Sequence, residues 1–162
     1  MTTMADIYAG AFRLITELLR QEIDQQGHRL TGALEDSLDY DLKKEGRADV
    51  LEGTALYYSI FVNEGVPAAS VSMKQFPFVV EYFKKRGLNE PEAKNAAAAT
   101  IKTWMKTGMP SPASRRFSRT GGRTGYVLSA FTGGQPKIDQ YMNDTLDFGV
   151  EEKFQLTKSE TL

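Results

Sequence analysis

The densest group of side chains with recognisable chemistry is Arg115, Arg116, Arg119 and Arg123, four guanidinium groups within nine residues. Ser114, Phe117, Ser118 and Thr120 are interleaved with them, and Gly121, Gly122 and Gly125 close the stretch. A guanidinium fork binds phosphate or carboxylate through two parallel hydrogen bonds. Two uses fit: contact with nucleic-acid phosphates without sequence preference, or docking on an acidic face of a neighbouring subunit. A solvated basic loop is the plainer alternative. The run Gly121-Gly122-Arg123-Thr124-Gly125 lacks the Gly-Lys-Ser/Thr ending of a phosphate-binding P-loop and reads as a flexible loop tip.

Other candidates carry less. Glu35, Asp36, Asp39 and Asp41 form an acidic group. On a strand, Asp39 and Asp41 share a face and are placed to co-ligate a divalent cation, although a solvated hairpin face explains them more simply. No carboxylate spacing points to glycoside hydrolysis. The one histidine, His28, sits among polar residues with no second histidine near it, and reads as a surface residue. Cysteine is absent, which excludes thiolate nucleophiles, disulfides and Cys-ligated metals. The expectation is therefore a chain without catalytic residues, metal or cofactor, which is not an enzyme and acts by packing against other chains.

Charge supports that direction. Residues 1–92 hold 10 bases and 15 acids, a net of −5; residues 93–138 hold 8 bases and no acid; residues 139–162 hold 2 bases and 6 acids, a net of −4. An acid-free segment of 46 residues calls for negative partners, either nucleic acid or the acidic blocks of another copy. The composition, 41% hydrophobic and 25% charged, supplies one ordinary core. The first residues lack the basic and apolar regions of a signal peptide. No run approaches the roughly 18 apolar residues of a membrane span, so no membrane partner is expected.

The elements that must position these groups follow from periodicity. Ile7, Ala11, Leu14, Ile15, Leu18, Leu19 and Ile23 form an apolar stripe that predicts a helix from Met4 to a stop at Gly27. Thr31 to Leu34 reads as a turn or short helix. Ser37–Leu42 alternates as a strand does, Lys43–Gly46 is a polar turn, and Arg47–Gly53 is the partner strand of a hairpin. Ala55–Val62 is densely apolar and reads as a short buried helix ending near Gly65, with strand as the alternative. Val66–Ser72 is a loop. Phe76–Arg86 predicts a helix with Phe78, Val79, Tyr82 and Phe83 on one face. Glu90–Thr107 is a helix capped by Asn89, with Pro91 and two glutamates in its first turn. Residues 108–125 lack periodicity and form a long loop. Tyr126–Phe131 is a short apolar element, Pro136–Thr145 a helix, and Leu146–Leu156 a last strand. Tyr57, Tyr58, Phe61 and Trp104 are expected in the core. Residues 1–157 are read as a single domain, and 158–162 as a frayed tail.

The order of these pieces resembles a known family. A long amphipathic helix leads to Thr31-Gly32-Ala33-Leu34-Glu35-Asp36-Ser37-Leu38, two strands follow, then Tyr57-Tyr58-Ser59-Ile60-Phe61-Val62-Asn63-Glu64-Gly65, and later a helix ends in Trp104-Met105-Lys106-Thr107-Gly108. This is similar to the small tail-completion and head–tail joining proteins of tailed bacteriophages, especially the gp10-like group typified by phage HK97. Members commonly carry a Pro-x-Pro-Phe stretch. Here Met109–Ser114 is followed by the basic Gly/Arg loop instead. The resemblance implies an α+β fold, with a small twisted antiparallel sheet packed against the long N-terminal helix and further helices. It also implies a structural virion protein assembled in the host cytoplasm, a homo-oligomeric ring around the DNA channel. Portal, connector or tail proteins would be its partners, with non-specific DNA contact open to the arginine loop. Head-to-tail ring contacts join two different faces, and the charge blocks suit that requirement.

Overall fold

The computed structural model describes residues 3–28, 31–46 and 48–160. Its architecture is α+β: six α-helices and a two-stranded antiparallel sheet among the described residues, with the sheet packed against the long N-terminal helix. The chain divides into two compact units, one comprising residues 1–59 and 126–162, the other 60–125.

In the first unit, helix α1 spans Met4–Gln25. Its start is fixed by a capping box, in which the Asp6 N–H donates to Thr3 Oγ1 (3.2 Å) and the Thr3 N–H donates to the Asp6 carboxylate (2.9 Å). These bonds stabilise the ionised carboxyl and hold Asp6 below its ordinary pKa. The helix stops at Gly27, whose φ of 71° is a left-handed end that glycine adopts without a Cβ clash. A short helix, α2 (Ala33–Asp36), precedes strands β1 (Asp39–Glu45) and β2 (Ala48–Thr54).

The hairpin matches the sequence expectation, with its first strand starting two residues later and ending three residues later than read from sequence. β1 runs through the residues read as a polar turn, and the chain reverses near Gly46 (φ 65°), with Leu42 opposite Leu51. Lys43 pairs with Glu52 across the strands, which offsets the like charges of Asp41 and Glu52 in the same register. The Phe12 ring stacks on Tyr40 at 4.1 Å between centroids, and Tyr8 Oη donates to the Asp49 carboxylate (3.2 Å). Both contacts tie the hairpin to α1.

The largest departure from sequence is helix α6, which runs unbroken over Tyr126–Glu160. The expected Tyr126–Phe131 element, the expected helix at 136–145 and the expected last strand over Leu146–Leu156 are all parts of it. Pro136 forfeits a bond to the Thr132 carbonyl, a cost of roughly 3 kcal/mol in an isolated helix. Packing against α1 on either side of Pro136 offsets this. A Cβ at Gly134 would crowd Leu18 (3.0 Å to Cδ2), and Tyr141 Oη donates to the Ile7 carbonyl (3.2 Å). The alternation of Leu146, Phe148 and Val150 mimics a strand, but all three are exposed and bury no face. Nothing opposes them as a partner strand among the described residues, so the helix satisfies their backbone groups locally. Residues 158–160 lie in this helix.

Gly10 is required by the same seam, because a Cβ there would sit 2.7 Å from Tyr141 Cζ and overlap the hydroxyl. Gly10→Ala gains about 1 kcal/mol of helix propensity. It costs about 1–3 kcal/mol of overpacking and about 1 kcal/mol for the Tyr141 hydrogen bond. We expect a net loss of roughly 1–3 kcal/mol in urea denaturation. The same substitution made in a Tyr141→Phe background should cost measurably less, because the clashing hydroxyl is gone.

In the second unit, helices α4 (Phe76–Lys85) and α5 (Glu90–Thr107) pack on each other. α3 (Ser59–Glu64) begins at the boundary of the units. Val71, Val79, Val80, Ala93, Ala97 and Ile101 form the core, with Phe83, Leu88 and Trp104 partly buried against it. The bounds of α5 match the sequence reading. Asn89 and Glu92 exchange hydrogen bonds (3.0 and 3.2 Å) as its capping box. Two aromatic expectations fail. Phe78 is 77% exposed, because Val79 and Val80 take the buried face of α4. Tyr57, Tyr58 and Phe61 are exposed rather than in the core: the two tyrosines sit in the turn before α3, and α3 itself buries no residue.

Candidate interaction surfaces

The basic loop is held at both ends by backbone contacts inside the second unit. Gly108 ends α5 with φ 78°, and a Cβ there would meet the Val66 carbonyl at 2.8 Å. That close approach permits a two-residue bridge: Val66 N–H donates to the Met109 carbonyl (2.8 Å) and Met109 N–H to the Val66 carbonyl (2.7 Å). At the far end, Gly125 N–H donates to the Asn63 carbonyl (2.6 Å). Between these anchors, Pro112 opens a 3-10 turn over Pro112–Phe117, and Ser114 Oγ closes it on the Ser111 carbonyl (2.6 Å). The segment read as featureless loop is therefore a shaped one.

The four arginines divide into two roles. Arg123 turns inward. It is only partly exposed, its Nη1 donates to the Ser114 carbonyl (3.2 Å), and burial lowers its pKa from the usual arginine value. Arg123 thus braces the turn from behind. Arg115, Arg116 and Arg119 are exposed. Phe117 stands among them, 55% exposed, with the Arg116 guanidinium over its ring at 4.8 Å. Such stacking, worth about 0.5–1 kcal/mol at an exposed site, keeps the cation and the ring side by side.

The first unit carries an apolar groove of about 350 Å³, lined by Phe12, Ile15, Leu19, Leu51, Tyr126 and Phe131, with Asp39 also in its wall. α1 supplies one side, the hairpin another and the start of α6 the third. The same unit also exposes Leu56, Tyr57 (80% exposed) and Leu128 (72% exposed). Tyr126 is buried, and this raises its pKa above that of a free phenol. Sequence reasoning missed the groove because its residues come from three distant segments, each of which reads as ordinary core.

The remaining candidates are placed as follows. Glu35 is buried, whereas Asp36, Asp39 and Asp41 are exposed. Asp39 Oδ1 accepts from the Tyr40 N–H (2.8 Å). Among the described residues, no group of three or more histidine, aspartate or glutamate side chains is arranged to hold a metal ion. The His28 N–H donates to the Ile23 carbonyl (3.0 Å) and helps finish α1. Among the described residues, no helix is long and apolar enough to cross a membrane.

The division into units also sorts the charge. Residues 60–125 hold 11 bases and 4 acids, a net of +7, and the other unit holds 9 bases and 17 acids, a net of −8. The blocks seen along the sequence thus sharpen into one basic body and one acidic body. No protein-family model matches the sequence, and comparison with curated proteins and with solved structures finds no match.

Proposed function

We propose that this chain is a structural assembly subunit of a tailed-bacteriophage virion, a head–tail connector or tail-completion protein that forms a homo-oligomeric ring around the DNA channel. The observation that carries the reading is the charge segregation, −8 on one compact unit and +7 on the other. A ring built head to tail needs two unlike faces that complement each other, and opposite net charges steer such faces together. Exposed apolar side chains on both units, Tyr57 and Leu128 on one and Phe78 and Phe117 on the other, supply the area that charge alone does not. The order of elements that resembles the phage joining proteins gives the setting. The ring would assemble in the host cytoplasm onto portal or tail partners, with no cofactor and no catalytic step.

Light scattering across a concentration series, alone and with phage connector proteins, tests the reading. A closed species of several copies is expected, with its formation weakening as salt rises. A chain that stays monomeric under both conditions overturns it.

A second reading has its own support in the three exposed arginines of the acid-free loop, which suit DNA phosphates. It casts the chain as a nucleic-acid-binding accessory protein. DNA affinity that falls steeply with salt, and disappears when Arg115, Arg116 and Arg119 become alanine, would favour it.

A further inference from the structure

We infer that the Pro112–Arg119 turn of one copy docks in the apolar groove of the acidic unit of a second copy, with Phe117 as the anchor. This rests on the oligomer reading and names its contact. The groove is bounded by α1, the hairpin and the first turns of α6, and its walls are aromatic and aliphatic. A cavity of about 350 Å³ lies at the small end of the range that takes a compact apolar group. Phe117 is an exposed aromatic ring on a turn made rigid from behind by Arg123 and Ser114, so little conformational freedom is lost when it inserts.

Charge selects the occupant. Phe117 is flanked by Arg115, Arg116 and Arg119 with no acid in the surrounding loop. The groove has Asp39 in its wall, and the hairpin beside it, residues 39–54, carries five acids against three bases, a net of −2, with Glu52 paired to Lys43. A second copy of this chain therefore brings an aromatic plug with a cationic collar to an apolar socket with an anionic rim. An aromatic anchor in a desolvated pocket, ringed by polar pairs, is the usual form of an energetic hot spot. The contact is heterologous, because plug and socket lie on different units, and it leaves a joined pair with one free socket on one copy and one free plug on the other. That asymmetry lets the same contact repeat from copy to copy. A DNA duplex would satisfy the arginines but leave the groove empty.

The chain has no cysteine, so single introduced cysteines report contacts without background. Ala55→Cys places a thiol in the groove wall, and Thr120→Cys places one beside the turn. The two variants are mixed and treated with a short bis-maleimide, and light scattering is run on the same samples. The expected product is a cross-linked pair from the mixture and none from either variant alone. Adding Phe117→Ala to the Thr120→Cys chain should lower the yield at least about tenfold, with the circular dichroism spectrum unchanged because Phe117 is exposed. An oligomer that gives no mixed cross-link, or gives it equally with Phe117→Ala, overturns this contact and leaves the ring reading standing. So does a chain whose turn is shielded by added DNA while the groove thiol stays open. A chain that remains monomeric with and without connector proteins overturns both.

Discussion

Reversing Arg115, Arg116 and Arg119 to glutamate is expected to abolish self-association while leaving the fold intact. The three side chains are exposed. Reversal changes the charge of the basic unit by six, from +7 to about +1, and puts carboxylates where the partner face is itself acidic. Like charges brought together across an interface cost several kcal/mol, which is enough to take a micromolar contact out of the measurable range. Thermal unfolding should move little, because exposed surface charges contribute weakly to stability. Arg123→Ala is the informative contrast. It removes the brace on the Ser114 carbonyl and should weaken assembly through a loosened turn. Size-exclusion chromatography with light scattering separates the cases. A triple reversal that still assembles would show that the basic turn is not an adhesive surface.

Ile101→Ala is expected to be the most damaging single truncation in the basic unit, at about 2–5 kcal/mol. Ile101 has no exposed surface and belongs to the core cluster with Val71, Val79, Val80, Ala93 and Ala97. The loss combines missing transfer free energy with an unrelaxed cavity. A local reporter is built in, since Trp104 is the only tryptophan and packs against this same core. Its fluorescence follows unfolding of this unit, while far-ultraviolet circular dichroism follows all the helices. A clear drop in the urea midpoint seen by fluorescence is expected. An unchanged midpoint would mean that the core is not centred on Ile101.

The ease with which α5 reads from sequence, and the difficulty of α6, have the same physical origin. Asn89, Pro91, Glu92 and Gly108 mark the ends of α5 with groups that satisfy or terminate backbone hydrogen bonds, so local chemistry determines its bounds. In α6, local chemistry argues for a break, with Gly133, Gly134 and Pro136 in succession. Only a tertiary contact, α1 approaching Gly134 and Tyr141, makes a continuous helix the better solution. Aromatic placement failed for a related reason. Periodicity assigns apolar residues to one face, but it does not say whether anything packs on that face. Phe78, Tyr57 and Tyr58 are the result. The arginine turn was visible as composition. Its division into one brace and three outward groups depends on a side-chain-to-backbone bond that no spacing rule predicts.

The two-stranded hairpin leaves both of its outer edges open among the described residues. Open edges invite template-driven stacking of identical chains, a particular hazard wherever many copies are gathered at one place. In-register stacking of this hairpin would superpose Asp39 on Asp39, Asp41 on Asp41 and the Lys43–Lys44 pair on itself, each step adding repulsion between like charges along the ladder. The same acids and lysines that decorate the hairpin thereby act as gatekeepers against fibril growth, and a charge-neutral version of β1 would be the form of this chain most prone to precipitate.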